Sequence, residues 1–301
     1  MARVLMVFVD GLGLGPGGDF NPLITAPTPG FRSLLSGFPL TLETVGSPGG
    51  PALLLPLDAS LGVAGAPQSA TGQAALLTGE NAAGLLGRHL KGFPNRALKD
   101  LLKEKGLLGR LKGLGFKVVF ANAFRPPFFS ALAKGTRFFS CTTVANYYAR
   151  LPFHSLEDAE AGRALYADIT HENLKEQGYP LTVISPGEAA ARLAGLVSTH
   201  DFTLFEYFLT DLAAHSGDIN KIREALRRLD GFLGALPQAL PADTLLLLTS
   251  DHGNIEDVRV RGHTHNPVPA LVWGADRMYF RELTAITDVT PAILEYLTWG
   301  N

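Results

Sequence analysis

Short apolar runs bounded by turn residues recur along the chain and predict buried strands. They cover residues 4–9, 117–121, 203–209, 244–249 and 270–273. Apolar residues with helical spacing occur in the segments 70–77, 96–103, 187–197, 220–236 and 290–297. This alternation of strands and helices predicts an α/β fold of three layers, in which helices cover both faces of a mostly parallel sheet.

The middle of the chain interrupts this alternation. Residues 125–178 carry the aromatic pairs Phe128-Phe129, Phe138-Phe139 and Tyr147-Tyr148, and the earlier pattern resumes only near Leu181. We expect a small cap or lid here, inserted between core segments 1–124 and 179–301, although an irregular part of the core would look similar. The stretches 11–18, 26–30 and 47–56 are rich in proline and glycine and are expected to form ordered loops.

Composition narrows the possible partners and compartment. The formal net charge is −2, so no strongly basic surface is expected for nucleic acid or an anionic membrane. A single cysteine, Cys141, excludes a disulfide within the chain and suits a reducing compartment. No run approaches the roughly 20 apolar residues of a membrane helix. The sequence therefore predicts a cytoplasmic protein that binds neither nucleic acid nor membrane.

Aspartates stand at or just after the ends of three predicted strands. They are Asp10, Asp211 and Asp251. Because the carboxyl ends of parallel strands face one crevice, we expect the three carboxylates along the same edge of the sheet. Any one of them could instead cap a turn. Together they predict a metal site.

Histidines accompany these aspartates. His215 stands four residues after Asp211, on the same face if the segment is helical, and His252 directly follows Asp251. Two more, His263 and His265, precede the last predicted strand. Mixed carboxylate and imidazole ligands suit Zn²⁺ or Mn²⁺. A single histidine is more often structural, so the prediction depends on the whole group.

A candidate nucleophile lies just before a helix of small residues. The block QSATGQ, residues 68–73, offers the hydroxyls of Ser69 and Thr71. A hydroxyl at a helix start lies beside unpaired backbone N–H groups and the positive end of the helix dipole, which stabilise an alkoxide or a phosphate. An ordinary N-cap serine is the alternative. Residue types alone do not decide between the two hydroxyls.

The blocks VDG, QSATGQ, TDLAAHSGD, SDHGNIED and GHTHNPVPALVWG occur in the order found in cofactor-independent phosphoglycerate mutases. The chain resembles these enzymes over roughly residues 1–90 and 180–301, and it is similar to the related phosphopentomutases and alkaline phosphatases. The resemblance implies an alkaline phosphatase-like core and two divalent metal ions, Mn²⁺ or Zn²⁺. It also implies a serine nucleophile that becomes phosphorylated.

The resemblance also implies a division of ligands between the two metals. One would be bound by Asp10, Ser69, Asp251 and His252, and the other by Asp211, His215 and His263. Ser69 takes the serine place of the mutase block, in preference to Thr71. His263 takes the ligand place and His265 a non-ligand place, although the two could be exchanged. Asn254 and Glu256 are expected to orient His252 and the backbone near it.

Two departures from the mutases concern the substrate. Between the matching ends, the mutases carry a large domain with a Met-Asp-Arg-Asp block that grips phosphoglycerate, and this chain has no such block. Gln73 stands where the mutases have a histidine, so its role is open. The candidate phosphate-binding residues in this chain are Arg88, His89, Lys91, Arg125, Lys134 and Arg137. Charge on a solvated surface is the more common role of such residues.

These observations lead us to expect an enzyme that transfers phosphoryl groups from a small phosphorylated substrate through a phosphoserine at Ser69. Transfer to water makes a phosphatase or phosphodiesterase, whereas transfer to a substrate hydroxyl under a closed lid makes a phosphomutase. One alternative is a hydrolase, such as a metallopeptidase, that uses a metal-activated water. Another is a noncatalytic protein in which bound metal only stabilises the fold.

Overall fold

The computed structural model of the protein describes residues 2–46, 50–135 and 138–299. Its strands are Arg3–Val9 (β1), Ala52–Leu57 (β2), Val118–Phe120 (β3), Asn122–Phe124 (β4), His154–Ser155 (β5), Leu165–Tyr166 (β6), Phe202–Tyr207 (β7), Thr244–Thr249 (β8) and Val268–Trp273 (β9). Its α-helices are Pro22–Thr25 (α1), Pro29–Leu34 (α2), Ser69–Thr78 (α3), Ala82–Leu86 (α4), Arg96–Lys105 (α5), Leu107–Gly113 (α6), Pro126–Leu132 (α7), Cys141–Ala149 (α8), Leu156–Glu160 (α9), Glu172–Glu176 (α10), Pro186–Val197 (α11), Leu209–Ser216 (α12), Ile219–Ala239 (α13) and Val289–Trp299 (α14).

Six strands form the main sheet in the order β2-β9-β8-β1-β7-β3. β1 pairs in parallel with β7 and β8, β3 pairs in parallel with β7, and β9 runs antiparallel to both β8 and β2. The prediction of a mostly parallel sheet is therefore confirmed. The prediction of a loop over 47–56 is wrong from Ala52 onward, while residues 47–49 lie outside the described ranges. Pro56 concealed this strand in the sequence, but β2 is an edge strand, where a missing N–H is tolerated.

Alternate residues of β1 enter two separate cores. Val4, Met6 and Phe8 are buried in one cluster, whereas Leu5 and Val7 are buried in another on the opposite face. Helices α3, α5, α6, α8 and α14 cover the first face, and α2, α11 and α13 cover the second. Burial of each such side chain stabilises the fold by about 1.5–3 kcal/mol. The central strand is thus held on both sides, which fixes the position of the residues that follow it.

The middle of the chain forms a second, smaller sheet. Its parallel strands lie in the order β5-β4-β6, and a small cluster that includes Leu156 and Leu174 packs beside them. Helix α8, although it lies in the same stretch, packs into the first main core through Cys141 and Val144. The aromatic pair noted in the sequence contributes Phe128, which stacks on Phe124 at 3.9 Å between ring centroids. A separate cap over 125–178 stays a prediction.

One helix boundary differs from the prediction in a way that concerns the site. β7 ends at Tyr207, two residues earlier than expected, and α12 begins at Leu209. Asp211 therefore lies in the first turn of a helix and not at the end of a strand. Within the described ranges, no helix has the length and apolar character needed to cross a membrane. The cytoplasmic location stays a prediction.

Candidate metal centre

Three aspartates and a histidine meet at one edge of the main sheet. Asp10 follows β1, Asp251 lies two residues after β8, and Asp211 lies in the first turn of α12. His263 precedes β9, and because β9 runs antiparallel to β8, its beginning lies beside the end of β8. Gly11 allows the close approach, since its φ is +72° and a Cβ there would lie 2.8 Å from Asp211 Oδ1. The predicted convergence of the strand ends is therefore observed.

His252 is the centre of a first cluster. Its Nε2 atom lies 3.2 Å from Asp10 Oδ1, 3.5 Å from Asp251 Oδ2 and 3.1 Å from Ser69 Oγ. The side chains of His252 and Asp251 are fully buried. Asp10 Oδ1 and Asp251 Oδ2 are buried without a hydrogen bond from any described residue. Buried carboxylate oxygens without donors are costly unless a cation pairs with them.

A second cluster adjoins the first. Asp211 Oδ1 lies 3.7 Å from His263 Nε2, Asp211 Oδ2 lies 3.3 Å from His215 Nε2, and the two Nε2 atoms are 3.2 Å apart. The Nδ1 atom of His263 lies 2.8 Å from the Pro67 carbonyl oxygen, which can only accept. Nδ1 therefore carries the proton and Nε2 keeps its lone pair. The ring of His263 stacks on that of His252, with centroids 3.6 Å apart.

The donor atoms of these clusters fit divalent cations. Asp10, Asp251 and His252 place one ligand atom each within 4.8 Å of one another, and Asp211, His252 and His263 form a second such group. Imidazole nitrogen and carboxylate oxygen are the ligands of Zn²⁺ and Mn²⁺ sites. Because His252 is common to both groups, the two positions are adjacent.

The pKa shifts of the buried residues at this edge also favour a bound cation. Burial raises the pKa of Asp251 well above its ordinary value, and the carboxylate of Asp10 raises it further. Burial lowers the pKa of His252, but Asp251 and Asp10 outweigh this and raise it to about 10. Burial and the charge of His252 lower the pKa of His263 to about 4. The carboxylates thus favour a positive charge beside them, and a bound cation would supply that charge.

The structure separates the two candidate hydroxyls. Ser69 is the first residue of α3, with Oγ beside His252. Thr71 is buried, and its hydroxyl accepts a hydrogen bond from the N–H of Leu90. The expectation of unpaired N–H groups beside the nucleophile is wrong for the three that follow Ser69. Ala70 and Thr71 donate their N–H groups to the carbonyl of Leu90, and Gly72 donates to that of Gln68. Ser69 thus lies at the candidate metal centre, and Thr71 anchors the neighbouring segment.

Glu256 ties together the loops that carry the candidate ligands. It is fully buried and accepts hydrogen bonds from Gly13 N at 3.0 Å, Asn254 N at 2.8 Å and Asn266 Nδ2 at 3.0 Å. The hydroxyl of Thr264 also donates to it. A Cβ atom at Gly13 would lie 2.1 Å from this carboxylate, so only glycine fits. One side chain thus joins the loops after β1, after β8 and before β9.

Two amide side chains contact the candidate ligands directly. Asn254 Nδ2 donates to Asp211 Oδ1 at 2.7 Å. Gln73 Nε2 donates to Asp10 Oδ2 at 3.3 Å, while its Oε1 accepts from the N–H of Cys141. Gln73 therefore connects Asp10 to the first residue of α8. Both contacts restrain the orientation of a carboxylate, as groups around a metal ligand commonly do.

Other predicted site residues lie elsewhere or outside the described ranges. The side chain of His265 is exposed, in contrast to that of His263. Arg88 is exposed, and Arg125 donates to Gln177 Oε1 at 2.6 Å, beside the smaller sheet. Arg137 lies outside the described residues. A phosphate-gripping role for the arginines stays a prediction.

Sequence reasoning missed a buried acid near the centre, Glu206. It lies in β7 and accepts a hydrogen bond from Thr142 Oγ1 at 2.6 Å. Burial raises its pKa to about 8, and the carboxylate of Asp10 adds to this shift. The available signal was a charged residue within the otherwise apolar strand FTLFEY. A strand buried on both faces leaves such a side chain no route to solvent.

Comparison with known proteins agrees with the sequence blocks. Residues 185–300 match the Metalloenzyme superfamily. The chain is 25% identical over 184 residues to the 2,3-bisphosphoglycerate-independent phosphoglycerate mutase of Ehrlichia ruminantium, covering 52% of this chain and 36% of that enzyme. It is 32% identical over 106 residues to the enzyme of the same name from Acetivibrio thermocellus, covering 33% and 20%. The match thus spans about a third or less of these relatives.

Solved structures share the whole architecture. The PH0037 protein of Pyrococcus horikoshii superposes with a TM-score of 0.60 at 15% identity, over 99% of this chain and 97% of that one. A cold-active alkaline phosphatase from Shewanella superposes with a TM-score of 0.54 at 12% identity, over 97% and 99%. The resemblance to cofactor-independent phosphoglycerate mutases is therefore confirmed, residues 185–300 match the Metalloenzyme superfamily, and the chain has an alkaline phosphatase-like fold.

Proposed function

We propose that the protein is a metal-dependent phosphoryl-transfer enzyme with Ser69 as nucleophile and two divalent cations, Mn²⁺ or Zn²⁺. The observation that carries the proposal is the position of Ser69 Oγ, 3.1 Å from His252 Nε2, at an edge where two buried carboxylate oxygens accept no hydrogen bond from the described residues. The ligands would be Asp10, Ser69, Asp251 and His252 for one cation and Asp211, His215 and His263 for the other. The names of the relatives, phosphoglycerate mutases, support phosphoryl transfer.

Divalent cations at such a centre supply the positive charge that clamps a phosphate and stabilises the entering and leaving oxygens of an in-line displacement. The chain itself positions the nucleophile. The bond from Ala70 N to Leu90 O holds the first turn of α3, and Ser69 Oγ stays against His252. Oγ releases its proton to solvent and bonds to phosphorus as the bond between phosphorus and the substrate's alcohol oxygen breaks. The departing oxygen takes up a proton from solvent and leaves as the alcohol. The product of this step is a phosphoserine.

The second acceptor decides the activity. Water breaks the bond between Oγ and phosphorus in a phosphatase or phosphodiesterase, whereas a substrate hydroxyl does so in a phosphomutase. We propose a small phosphorylated substrate in either case. The domain with which the mutases grip phosphoglycerate has no counterpart block here, so we propose a substrate other than phosphoglycerate.

The test is turnover of nitrophenyl phosphate and bis-nitrophenyl phosphate with added Mn²⁺ or Zn²⁺. We expect metal-dependent release of nitrophenol by the wild type. Ser69→Ala should lower kcat by at least about 1,000-fold, as expected for loss of a nucleophile. Asp251→Asn should lower it similarly by removing a ligand. The matched control is Ser198→Ala, which removes an exposed hydroxyl at the end of α11 and should leave turnover unchanged.

Two outcomes contradict the proposal in different ways. Turnover that survives in Ser69→Ala but not in Asp251→Asn indicates a hydrolase that uses an activated water. A well-folded wild type that binds the metal, turns over neither ester and forms no phosphoserine indicates a noncatalytic metal-binding protein.

A further inference from the structure

A cavity of about 920 Å³ opens beside the second ligand cluster. His215 and Asn254 lie in its wall, and both contact Asp211. The rest of the wall comes from the end of α12, the beginning of α13 and the loop after Asn254. A volume of this size holds a small organic molecule. A molecule bound at the metal centre could therefore extend directly into the cavity.

Apolar side chains form part of the cavity wall. Ile219, Val258 and Val260 are 38%, 47% and 42% exposed, and all three line this one cavity. Single exposed apolar residues are common, but three around a cavity beside a candidate active centre are typical of a ligand site. This wall suits the carbon skeleton of a substrate.

The cavity also contains an uncommitted positive charge. Arg259 donates two hydrogen bonds to Asp257, from Nη2 to Oδ2 at 2.7 Å and from Nε to Oδ1 at 2.9 Å. The guanidinium of Arg259 also lies 3.4 Å from the ring centroid of Phe20, so this arginine is held in place. Arg261 lines the cavity as well, is exposed, and forms no ion pair with the described residues. Among the described residues that line the cavity, Arg261 is therefore the arginine available to a ligand.

Arg261 is close to the metal centre along the chain. It precedes His263 by two residues, so their Cα atoms lie within about 7 Å. Residues 258–261 join the blocks SDHGNIED and GHTHNPVPALVWG, and they are not part of either. A specificity determinant is expected in such a segment, since loops vary while the catalytic frame is kept.

We propose that this cavity binds the non-transferred part of the substrate, an apolar segment that ends in a second anionic group held by Arg261. The proposal rests on the proposed function, because it places the transferred phosphate at Ser69. The guanidinium donates two parallel hydrogen bonds to the acidic group, which suits a carboxylate or a phosphate. Ile219, Val258 and Val260 contact the apolar segment.

The test compares the binding of two non-transferable probes to the Mn²⁺-loaded protein by calorimetry. Phosphonohexanoate carries a terminal carboxylate, and hexylphosphonate lacks it. We expect the wild type to bind phosphonohexanoate about 10-fold to 100-fold more tightly, as a charge-assisted bidentate pair allows. Arg261→Gln should abolish this preference and keep the affinity for hexylphosphonate within about twofold.

The matched control is Arg223→Gln, which removes an exposed arginine of α13 near the cavity without removing a cavity residue. The preference should survive in this variant. Equal affinities in the wild type, or a preference that persists in Arg261→Gln, would overturn the subsite. If the wild type turns over phosphate esters but binds the two probes equally, only the proposed subsite is contradicted. If the wild type prefers phosphonohexanoate but turns over no phosphate ester, only the proposed function is contradicted. If the wild type binds neither probe, both proposals are contradicted.

Discussion

Two histidines of one short block have opposite environments. His263 is fixed by its hydrogen bond to the Pro67 carbonyl and faces Asp211, whereas the side chain of His265 is exposed. Spacing alone did not separate them, because either could precede β9. The difference comes from the partner across the loop, Pro67, which is 196 residues away in the chain.

The first prediction uses these histidines as a matched pair. His263→Ala should reduce the bound metal from about two ions to about one per chain, because it removes a ligand. Turnover should fall by at least about 100-fold. Removing a group that only orients a metal ligand already costs up to about 100-fold, and His263 is proposed to be a ligand itself. His265→Ala should change neither quantity. Elemental analysis after dialysis and steady-state kinetics measure both, and equal metal content in the two variants would contradict the ligand assignment.

The second prediction concerns Glu206, whose pKa burial raises to about 8 in the folded protein. The unfolded chain releases this proton near its ordinary pKa of about 4.3. Between these values the folded state binds the proton and the unfolded state does not. Stability therefore falls as pH rises through this window and levels off above about pH 8.

Glu206→Gln keeps the shape and an acceptor for Thr142 but cannot ionise. The free energy of unfolding of chelator-treated protein, measured in urea from about pH 5 to about pH 8, should therefore fall more steeply in the wild type than in the variant. Asp10 is present in both proteins, so the difference between the curves reports Glu206 together with its interaction with Asp10. Parallel curves would show that this acid is ionised in the folded state.

At the scale of elements, residue spacing predicted the features that depend on a single helix or strand. The spacing of Asp211 and His215 predicted one helix face, and α12 provides it. The aspartates after β1 and β8 were predicted because a parallel sheet brings strand ends together. The direction of β9 was not predictable, because periodicity does not distinguish parallel from antiparallel pairing. The hydrogen bonds of Glu256 were not predictable either, since they join loops distant in sequence.

The third prediction addresses this junction of loops. Glu256→Ala leaves buried donors unpaired, among them Gly13 N and Asn254 N, and should cost about 3 kcal/mol of unfolding free energy. Metal affinity should fall about 10-fold to 100-fold because the ligand-bearing loops lose their common anchor. The control is Glu43→Ala. Like Glu256, Glu43 accepts a hydrogen bond from the N–H of a loop residue, Gly17, but its side chain is exposed. Urea unfolding and metal titration measure both effects.

Glu43→Ala should change stability by no more than about 0.5 kcal/mol. If the two variants behave alike, the hydrogen bonds of Glu256 contribute no more than those of a surface carboxylate, and the loops are held by other contacts.

At the scale of the whole molecule, the candidate metal centre joins distant parts of the chain. Its candidate ligands come from Asp10 near the start, Ser69, and the segments from Asp211 to His263. The strand and helix pattern predicted the sheet on which they meet, apart from β2. It did not define the middle region, where α8 packs in the main core and the short strands β4, β5 and β6 form a separate sheet.

The fourth prediction follows from this linkage. A cation that binds only the folded state, at a hundred times its Kd, stabilises it by about 2.7 kcal/mol per site. Added Mn²⁺ should therefore raise the Tm of the wild type by several degrees. Asp251→Asn should greatly reduce this rise. The metal-free variant should be at least as stable as the metal-free wild type, because burial and the carboxylate of Asp10 both disfavour an ionised Asp251 when no cation is bound.

Differential scanning calorimetry with and without chelator measures all four states. A Tm that rises equally in both proteins would place the stabilising cation elsewhere. A variant that is less stable without metal would show that Asp251 contributes to the fold independently of a cation.

The most direct test of the central claim is a rapid-quench experiment with the Mn²⁺-loaded wild type and nitrophenyl phosphate. Acid-quenched protein is digested, and the peptide that contains Ser69 is examined by mass spectrometry. We predict one added phosphoryl group on Ser69, formed within the first turnover and absent after chelation. Continued turnover with an unmodified Ser69, or a phosphoryl group on Thr71 instead, would contradict the account.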